Sequence, residues 1–253
     1  MVDLHRFKTL ILKELNIDLF SYKEEQLHRR LKSFFIRNGI TDIDKYVQLI
    51  KRSTDEREKF LDFVTINVTE FYRNPELFKE LSDLLEANKY QNMKIWSAAC
   101  SNGCEPYSVA IMLLEIGINN FSIIATDLDP TIIKRAKEGV YDEIDLKNLS
   151  PAIIRKYFDK IEDKYYITSK IKKHITFKNH DLLMDKYEKD FDLVLCRNVV
   201  IYFNSEAKEK LYKEISQSIK KDGLFFVGAT ENIHDYNKYN FDKIGSFIYK
   251  KKQ

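Results

Sequence analysis

Two carboxylates in the middle of the chain have the spacing expected for binding a nucleotide-like ligand. Glu105 follows a run of small residues, 97–103, that connects a short apolar strand to an apolar-periodic helix. Asp127 follows the next apolar run, 121–125, where an acid can hydrogen-bond ribose hydroxyls. The chain has neither G-x-G-x-x-G nor G-x-x-x-x-G-K, and the charge of Glu105 would repel a phosphate. The pattern favours a ligand with a positive amino group and free hydroxyls, such as S-adenosylmethionine.

The turn between this strand and helix is suited to close approach of a ligand. Ser97 and Ala99 have side chains small enough for a ligand to lie against the backbone, and Gly103 can adopt a positive φ. Cys100 and Cys104 lie in the same turn, but no second pair of metal ligands follows them. We therefore predict no metal site and assign both cysteines to packing.

A third group of polar residues follows the most strand-like run of the chain, 191–196. A fully apolar strand is typical of a buried parallel sheet, and ligands bind at the carboxyl ends of such strands. Arg197, Asn198 and Tyr202 are therefore predicted to face the site. The alternative for Arg197 is a structural pair with a neighbouring residue.

The segment 67–75 is a linker with an unusual composition. It contains hydrogen-bond donors and aromatic rings: Asn67, Thr69, Phe71, Tyr72 and Arg73. A plain connector is the alternative, but this composition favours a contribution to the ligand site. Asn74, Pro75 and Glu76 then predict a helix start, with an N-cap, a proline at the first position and an acid in the first turn.

The elements that precede the linker are predicted to be helical. Within residues 1–66, apolar residues recur at helical spacing in successive segments, which indicates a small helical N-terminal domain. Gly39 is expected to end the second helix, and Thr41 or Asp42 to cap the third.

Residues 76–253 are predicted to form an α/β, doubly wound, Rossmann-like domain of the kind found in S-adenosylmethionine-dependent methyltransferases. At about 140–173 the alternation of strand and helix is interrupted. There we predict an inserted β-subdomain, with a helix through Phe158 and short strands at 165–167 and around Ile171. A turn at 221–223 precedes a further strand, and 241–249 supplies a last pair of strands that includes an antiparallel one.

The second predicted helix carries an unusual charge pattern. No acidic residue lies between Gln26 and Ile40. The cations of this stretch include Arg29, Arg30, Lys32 and Arg37. One interpretation is an ordinary solvated face with long aliphatic stems against the core. The other is a docking surface for an acidic protein.

Length and composition allow one large or two modest domains in 253 residues. The net charge of +3 is too small to indicate nucleic-acid binding. Three cysteines without paired spacing give no disulfide framework. The first residues contain no apolar core of signal-peptide length, and no run of about eighteen apolar residues occurs. We expect a cytoplasmic protein without membrane insertion.

Three blocks of sequence, taken together, resemble the CheR family of chemotaxis receptor methyltransferases. They are 67–73 (NVTEFYR), 99–108 (ACSNGCEPYS) and 196–203 (CRNVVIYF). The resemblance covers almost the whole chain, including the helical domain and the inserted subdomain. It implies transfer of a methyl group from S-adenosyl-L-methionine to glutamate side chains on the cytoplasmic helical bundle of chemoreceptors. The products would be glutamyl methyl esters and S-adenosyl-L-homocysteine.

The resemblance also implies a role for each matched residue. Glu105 would meet the methionine part of the cofactor and Asp127 the ribose, while Tyr202 would point at the transferable methyl. The other implied cofactor contacts are Asn67, Thr69, Arg73, Ala99, Asp181, Leu182, Arg197 and Asn198. Arg73 or Arg197 would orient the substrate carboxylate, which makes them catalytic candidates together with Tyr202.

This chain departs from the family pattern in two places. Asp181 stands where many members have asparagine, which bears on the adenine contact. The turn at Glu162 and Asp163 is short and lacks glycine. In some relatives, a longer turn that contains glycine accompanies binding of the receptor's C-terminal pentapeptide.

A glutamate acceptor agrees with the residues of the three blocks. Its carboxylate has a reference pKa of about 4.3 and is ionised at neutral pH, so no general base is required. His180 adjoins the adenine segment, and we favour a structural role for it. The basic helix would dock acidic receptor helices, and we expect a monomer. Two alternatives are a nucleic-acid methyltransferase, which the small net charge disfavours, and a non-catalytic module that binds the cofactor.

Overall fold

The computed structural model describes residues 3–252. The first part of this range consists of helices, as predicted: α1 (Leu4–Leu15), α2 (Glu24–Arg37), α3 (Ile43–Arg52) and α4 (Thr54–Thr65). Their apolar faces meet in one core around the buried rings of Phe7 and Phe60. Gly39 follows the end of α2, and the carboxylate of Asp42 caps α3 by accepting the N–H of Lys45 at 3.1 Å. Both terminus predictions are confirmed.

The rest of the described range alternates between strands and helices. Its helices are α5 (Pro75–Ala87), α6 (Cys104–Glu115), α7 (Pro130–Glu138), α8 (Pro151–Tyr157), α9 (Ser169–Lys172) and α10 (Ser205–Ser218). Its strands are β1 (Met93–Ala98), β2 (Phe121–Asp127), β3 (Val140–Tyr141), β4 (Phe158–Ile161), β5 (Lys164–Ile167), β6 (Ile175–Asn179), β7 (Phe191–Cys196), β8 (Ile219–Val227), β9 (Phe241–Lys243) and β10 (Ile248–Lys251).

One large sheet organises the α/β part, in the order β6-β2-β1-β7-β8-β10-β9. The strands from β6 to β8 are parallel, and β10 runs antiparallel to β8. The chain order reverses at the centre of the sheet, where β1 lies between β2 and β7, and a ligand crevice is expected at such a point. This topology confirms the predicted doubly wound fold and its antiparallel strand near the edge.

The apolar run 193–196 in β7 follows from burial on both faces of the sheet. Leu193 and Leu195 pack into the core on the side of α5 and α6, whereas Val194 and Cys196 pack on the side of α10. Because neither face meets water, the strand needs no alternation of polar and apolar residues. Asp192, at the start of the strand, is its one polar residue, and the next polar side chain, that of Arg197, follows directly after its carboxyl end.

A second, smaller sheet lies between α7 and β6 in the chain. It has the order β3-β5-β4 and is joined by the 3-10 helix Glu143–Leu146 and by α8. The short strands predicted within 140–173 are therefore present, and we call this unit, residues 140–173, the inserted subdomain.

The structure corrects three local predictions. Ile171 lies in the one-turn helix α9 rather than in a strand, because a four-residue segment is too short for its period to be read. Phe158 begins β4 instead of ending the preceding helix. The turn predicted at 221–223 lies inside β8, where Asp222 has a φ of 63° and the register with β7 shifts. Such an irregularity is a bulge within a continuous strand.

Candidate active site

Every residue predicted for the cofactor or for catalysis lines one cleft at the carboxyl ends of β1, β2 and β7. These residues are Asn67, Thr69, Arg73, Ala99, Glu105, Asp127, Asp181, Leu182, Arg197, Asn198 and Tyr202. The space between the lining atoms is about 950 Å³ with the open mouth included. The basic residues of α2 do not line it.

The floor of the cleft is the turn between β1 and α6. Ala99, Ser101 and Gly103 all have positive φ, of 60°, 51° and 90°. A Cβ at Gly103 would come within 3.0 Å of the ring of Tyr107, so this position needs glycine for its conformation and for its packing. The tightly folded turn aims its backbone N–H groups at β2, where Asp127 accepts that of Ser101 at 2.8 Å.

Asp127 is buried at the end of β2 and held by backbone donors. It also accepts the N–H of Asp129 at 3.1 Å, and Asp129 itself caps α7 through the N–H of Thr131. Burial raises the pKa of Asp127 to about 6, although these N–H groups favour its ionised form. A carboxylate has lone pairs beyond those used here, and they suit ribose hydroxyls.

Glu105 begins α6 and shares its carboxylate between two partners. It accepts the hydroxyl of Ser97 at 2.8 Å and lies 3.4 Å from the nearer Nη1 of Arg197. Burial raises the pKa of Glu105, and the charge of Arg197 opposes that rise. The carboxylate of Glu105 lies at the cleft, and Arg197 is its counter-ion.

Arg197 is enclosed more completely than the sequence suggested. Its side chain is 1% exposed, and its guanidinium donates to the carbonyl of Arg73 at 2.9 Å and to Oδ1 of Asn74 at 3.4 Å. The rings of Phe78 and Phe226 lie on it at 5.1 and 4.6 Å. This geometry matches the alternative interpretation of Arg197, in which it forms a structural pair with a neighbouring residue. Arg197 ties Glu105 to the linker.

The predicted start of α5 is confirmed, with Pro75 at the first position and Glu76 in the first turn, but the same contact keeps the Asn74 side chain from capping the helix. Asn74 occupies the N-cap position, but it has a φ of 62° and its side chain caps no backbone N–H. Its side-chain oxygen faces Arg197 instead. The first turn of α5 begins with proline, which has no N–H to satisfy.

The linker residues reach the cleft from the opposite side. Asn67 donates to the carboxylates of Asp62 and Asp129, at 3.2 Å each. Arg73 donates to the carbonyl of Val68 at 3.0 Å and keeps further donors of its guanidinium. Val68 itself is an exposed apolar side chain at the rim.

The far end of the cleft is formed after β6. The Asp181 carboxylate accepts the N–H of Leu183 at 2.8 Å, and burial raises its pKa. The ring of His180 lies edge-on to Trp96 at 5.6 Å, and its Nε2 is 3.3 Å from the carbonyl of Lys186. These contacts describe a packed histidine, in keeping with the structural role favoured for it.

Tyr22 was not found from the sequence, yet it lines the cleft. The segment before α2 pairs with the chain after Tyr202: the Lys23 N–H donates to the Tyr202 carbonyl and the Asn204 N–H to that of Ser21, both at 2.9 Å. Burial and nearby acids raise the pKa of Tyr22. Nothing local in the sequence signals a contact across this separation.

Glu231 is a second residue that the sequence interpretation missed. It is 5% exposed and accepts three backbone N–H groups: from Asn198 at 2.5 Å, from Gly228 at 3.0 Å and from Ile201 at 3.2 Å. It therefore fixes the segment between Arg197 and Tyr202. An acid just past the end of β8 was the signal that could have identified it, by the rule applied to Asp127.

The basic residues of α2 have different environments. The Arg30 guanidinium donates to the carbonyls of Phe63 and Val64 and lies 4.8 Å from the Phe63 ring, so it holds the end of α4. Arg29, Lys32 and Arg37 are exposed. Any docking surface on α2 therefore depends on these three, and Arg30 is better described as structural.

The cleft fits the group that the sequence favours. Glu105 and Asp127 offer carboxylates to an ammonium group and to hydroxyls, the small-residue turn admits close approach, and Leu128 and Leu182 provide apolar wall. Among residues 3–252 no cluster of His, Cys, Asp and Glu could hold a metal ion. In the same range no helix is long and apolar enough to cross a membrane.

Comparison with known proteins gives two family matches. Residues 67–249 match the model described as CheR methyltransferase, SAM binding domain, and residues 2–65 match CheR methyltransferase, all-alpha domain. A chemotaxis protein methyltransferase of Listeria monocytogenes is 36% identical over 96% of this chain and 95% of its own length. The chemotaxis protein methyltransferase 1 of Pseudomonas aeruginosa is 34% identical, over 92% and 91%.

A more distant relative and a solved structure complete the comparison. The chemotaxis protein methyltransferase of Escherichia coli is 29% identical over 96% of this chain and 88% of its own. A TehB-like SAM-dependent methyltransferase from Corynebacterium glutamicum superposes with a TM-score of 0.41 at 18% identity. That superposition covers 68% of this chain and 86% of the other.

Proposed function

The chain belongs to the CheR methyltransferase family, and from this premise we propose that it methylates glutamate side chains of chemoreceptors. Its cofactor is S-adenosyl-L-methionine, and its activity is that of a methyltransferase in chemotaxis. The acceptor we propose is a glutamate carboxylate on the cytoplasmic helical bundle of a receptor, and the product is a glutamyl methyl ester. We further propose that the protein acts in the cytoplasm as a monomer.

The observation that carries this proposal is the set of residues that line the cleft together with Tyr202. Tyr202 lies in one cleft with Glu105 and Asp127, and the linker residue Arg73 lines the same cleft. Among residues 3–252 no lysine lines it, and the one histidine that does packs against Trp96. A site without a free histidine or lysine base suits a nucleophile that is already ionised, and a carboxylate meets that condition at neutral pH.

When bound, S-adenosylmethionine supplies a methyl group on a sulfonium sulfur. The acceptor carboxylate forms the new C–O bond as the C–S bond breaks, so no proton has to be moved. The work left to the chain is to bind, to align and to exclude water. In our proposal Glu105 takes the amino group, Asp127 the ribose hydroxyls and the Asp181–Leu182 segment the adenine.

Arg73 and Tyr202 are the residues we assign to the acceptor. Arg73 has free donors that can pair with a carboxylate in the cleft. Tyr202 would align the carboxylate or the methyl group, and its segment is fixed from behind by Glu231. We assign Arg197 a positioning role, through Glu105 and the linker, rather than contact with the acceptor.

Replacing Tyr202 by phenylalanine should keep cofactor binding and lower kcat by roughly ten- to hundredfold, because alignment rather than proton transfer is lost. At saturating cofactor the wild-type rate should stay flat from about pH 6.5 to 8.5. Initial rates across that range would show this. A wild-type rate that rises about tenfold per pH unit, with the rise abolished in Tyr202→Phe, would contradict the positioning role and indicate proton transfer.

Reversing two charges on α2 should raise KM for the receptor by roughly three- to tenfold at low salt and leave the Kd of the cofactor unchanged. The variant is Arg29→Glu with Lys32→Glu, since both side chains are exposed, whereas Arg30 donates to the carbonyls at the end of α4. The matched control is Lys134→Glu with Lys137→Glu, the same spacing on the exposed face of α7. Equal changes in KM for the two pairs would indicate that the exposed cations of α2 form an ordinary solvated face and not a docking surface.

An acceptor panel tests the reaction class. The purified protein would be given S-adenosylmethionine labelled in the methyl group, with receptor cytoplasmic fragments, an RNA mixture or small carboxylic acids. We expect label in the receptor fragments alone, released as methanol by mild base. Base-stable label, or label in RNA, would indicate another substrate class. Cofactor binding without transfer to any acceptor would favour a non-catalytic module.

A further inference from the structure

The inserted subdomain contacts both segments that form the cofactor cleft. On one side it meets the linker at Glu70 and Phe71, and on the other it meets the turn between β1 and α6 at Asn102. We propose that the subdomain is a brace for the cofactor site, in which Asn148 and Tyr141 are positioning residues. The inference rests on the cofactor contacts proposed above for the linker.

The contact with the linker is specific and partly buried. The amide nitrogen of Asn148 donates to the carbonyl of Phe71 at 3.0 Å and to Oε1 of Glu70 at 3.1 Å, so both of its N–H groups are used. The N–H of Phe71 donates in turn to the carbonyl of Asp145 at 3.1 Å. The backbone of the linker is thereby bonded to the subdomain on both sides of one residue.

Packing reinforces these hydrogen bonds. The fully buried ring of Phe71 lies edge-on to Tyr141 at 4.8 Å and to Phe158 at 5.2 Å, and both partners belong to the subdomain. Aromatic pairs of this geometry add to the stabilisation from burial. An ion pair between Lys147 and Glu70 at 2.5 Å lies at the surface of the same contact.

The contact with the turn passes through one hydroxyl. Tyr141 donates to the carbonyl of Asn102 at 2.8 Å, while the side chain of Asn102 accepts the N–H of Cys104 at the start of α6. Tyr141 is 2% exposed. Since its ring also packs on Phe71, one side chain joins the turn to the linker, and the subdomain sets the width of the cleft between them.

The central test is Asn148→Asp in the full chain. It has the same shape but removes both donors and sets a carboxylate against Glu70 and the Phe71 carbonyl. We expect the Kd of S-adenosylhomocysteine, measured by calorimetry, to rise about three- to tenfold. KM for S-adenosylmethionine should rise with it, while KM for the receptor stays unchanged. The control Lys164→Ala removes an exposed ion pair with Asp142 in the same subdomain, and its Kd should equal that of wild type.

A donor–acceptor exchange separates positioning from a general loss of stability. Adding Glu70→Gln to Asn148→Asp lets an amide at position 70 donate to a carboxylate at position 148, so it should recover part of the lost affinity. Tyr141→Phe, which loses only the bond to Asn102, should weaken binding independently. An unchanged Kd in both Asn148→Asp and Tyr141→Phe would overturn the brace. So would a loss of affinity that Glu70→Gln makes worse.

One further variant separates this inference from the proposed cofactor contacts. Thr69→Ala changes a linker side chain of the cleft without touching the subdomain. If it weakens binding of S-adenosylhomocysteine while neither Asn148→Asp nor Tyr141→Phe does, the linker contact stands and the brace is wrong. If both weaken it, the brace is supported. If Thr69→Ala and Asn67→Ala leave the Kd unchanged, the proposed linker contacts fail, and the brace fails with them.

Discussion

Replacing Arg197 by methionine should destabilise the protein by about 3–5 kcal/mol at pH 8, the usual cost of breaking a buried ion pair from one side. The Arg197 side chain is 1% exposed and lies 3.4 Å from the carboxylate of Glu105. Its loss leaves that carboxylate buried without a cation and removes the donor to the Arg73 carbonyl. Urea unfolding of the two proteins at pH 8 measures the difference.

The loss of stability in Arg197→Met should become smaller as the pH falls. Burial already raises the pKa of Glu105 and Arg197 opposes the rise, so removing the arginine raises the pKa further. When a carboxyl group has a higher pKa in the folded state than in the unfolded state, its ionised form lowers the free energy of unfolding. This penalty is fully present above the folded pKa. That penalty disappears as the group takes up a proton. Equal losses at pH 8 and pH 5 would contradict the pairing of these two residues.

Two variants control for the change in shape. Arg197→Met combined with Glu105→Gln removes both charges and should recover much of the stability, because no unpaired charge stays buried. It should not recover affinity for S-adenosylhomocysteine, since the Glu105 carboxylate is gone. Arg197→Lys keeps the charge but loses the planar fork that reaches both Glu105 and the linker, and an intermediate loss is expected.

Replacing Asp127 by asparagine should weaken binding of S-adenosylhomocysteine by roughly ten- to hundredfold at pH 7.5, the worth of hydrogen bonds to a charged group. The N–H groups of Ser101 and Asp129 donate to different oxygens of Asp127. Asparagine has only one acceptor oxygen, so it loses one of these backbone bonds as well as acceptor sites for the ribose hydroxyls. Calorimetry provides the affinity. The control is Asp129→Asn. Asp129 is a neighbouring residue that caps α7 and does not line the cleft, and asparagine is an equally good N-cap.

The same residue should give wild-type binding its dependence on pH. Burial raises the pKa of Asp127 to about 6, and the form that accepts hydroxyls is the ionised one. The ligand therefore has to displace a proton below that pH, and its Kd should rise about tenfold between pH 7 and pH 5. Asp127→Asn should lose most of this dependence, whereas Asp129→Asn should retain it. A dependence that survives in Asp127→Asn would assign the proton to another group.

The residues of the cleft that lie at strand ends were accessible from sequence. Asp127, Arg197 and Asn198 each follow an apolar run, and parallel strands bring their carboxyl ends to one edge of the sheet. The turn at Gly103 could be identified for the same reason, since a strand, small residues and a helix follow one another within a short stretch. The succession of residues along the chain was sufficient to predict these features.

Contacts between distant segments left no comparable signal. Tyr22 reaches the cleft because its backbone pairs beside Phe203, and Asn148 holds the linker from within the inserted subdomain. No period or motif records such pairings. The burial of Arg197 was missed for a related reason, because it depends on the rings of Phe78 and Phe226 that only the folded sheet and helix bring together.

The most direct test of the account is to locate the transferred methyl group. Receptor cytoplasmic fragments would be incubated with the protein and S-adenosylmethionine, digested at mildly acidic pH and sequenced by mass spectrometry. A parallel fragment would carry Glu→Gln at each modified position. We predict one added methyl on glutamate side chains, removed by mild base and lost in the Gln fragment. Methyl groups on lysine, arginine or a terminus, or methylation that persists in the Gln fragment, would contradict the proposed function.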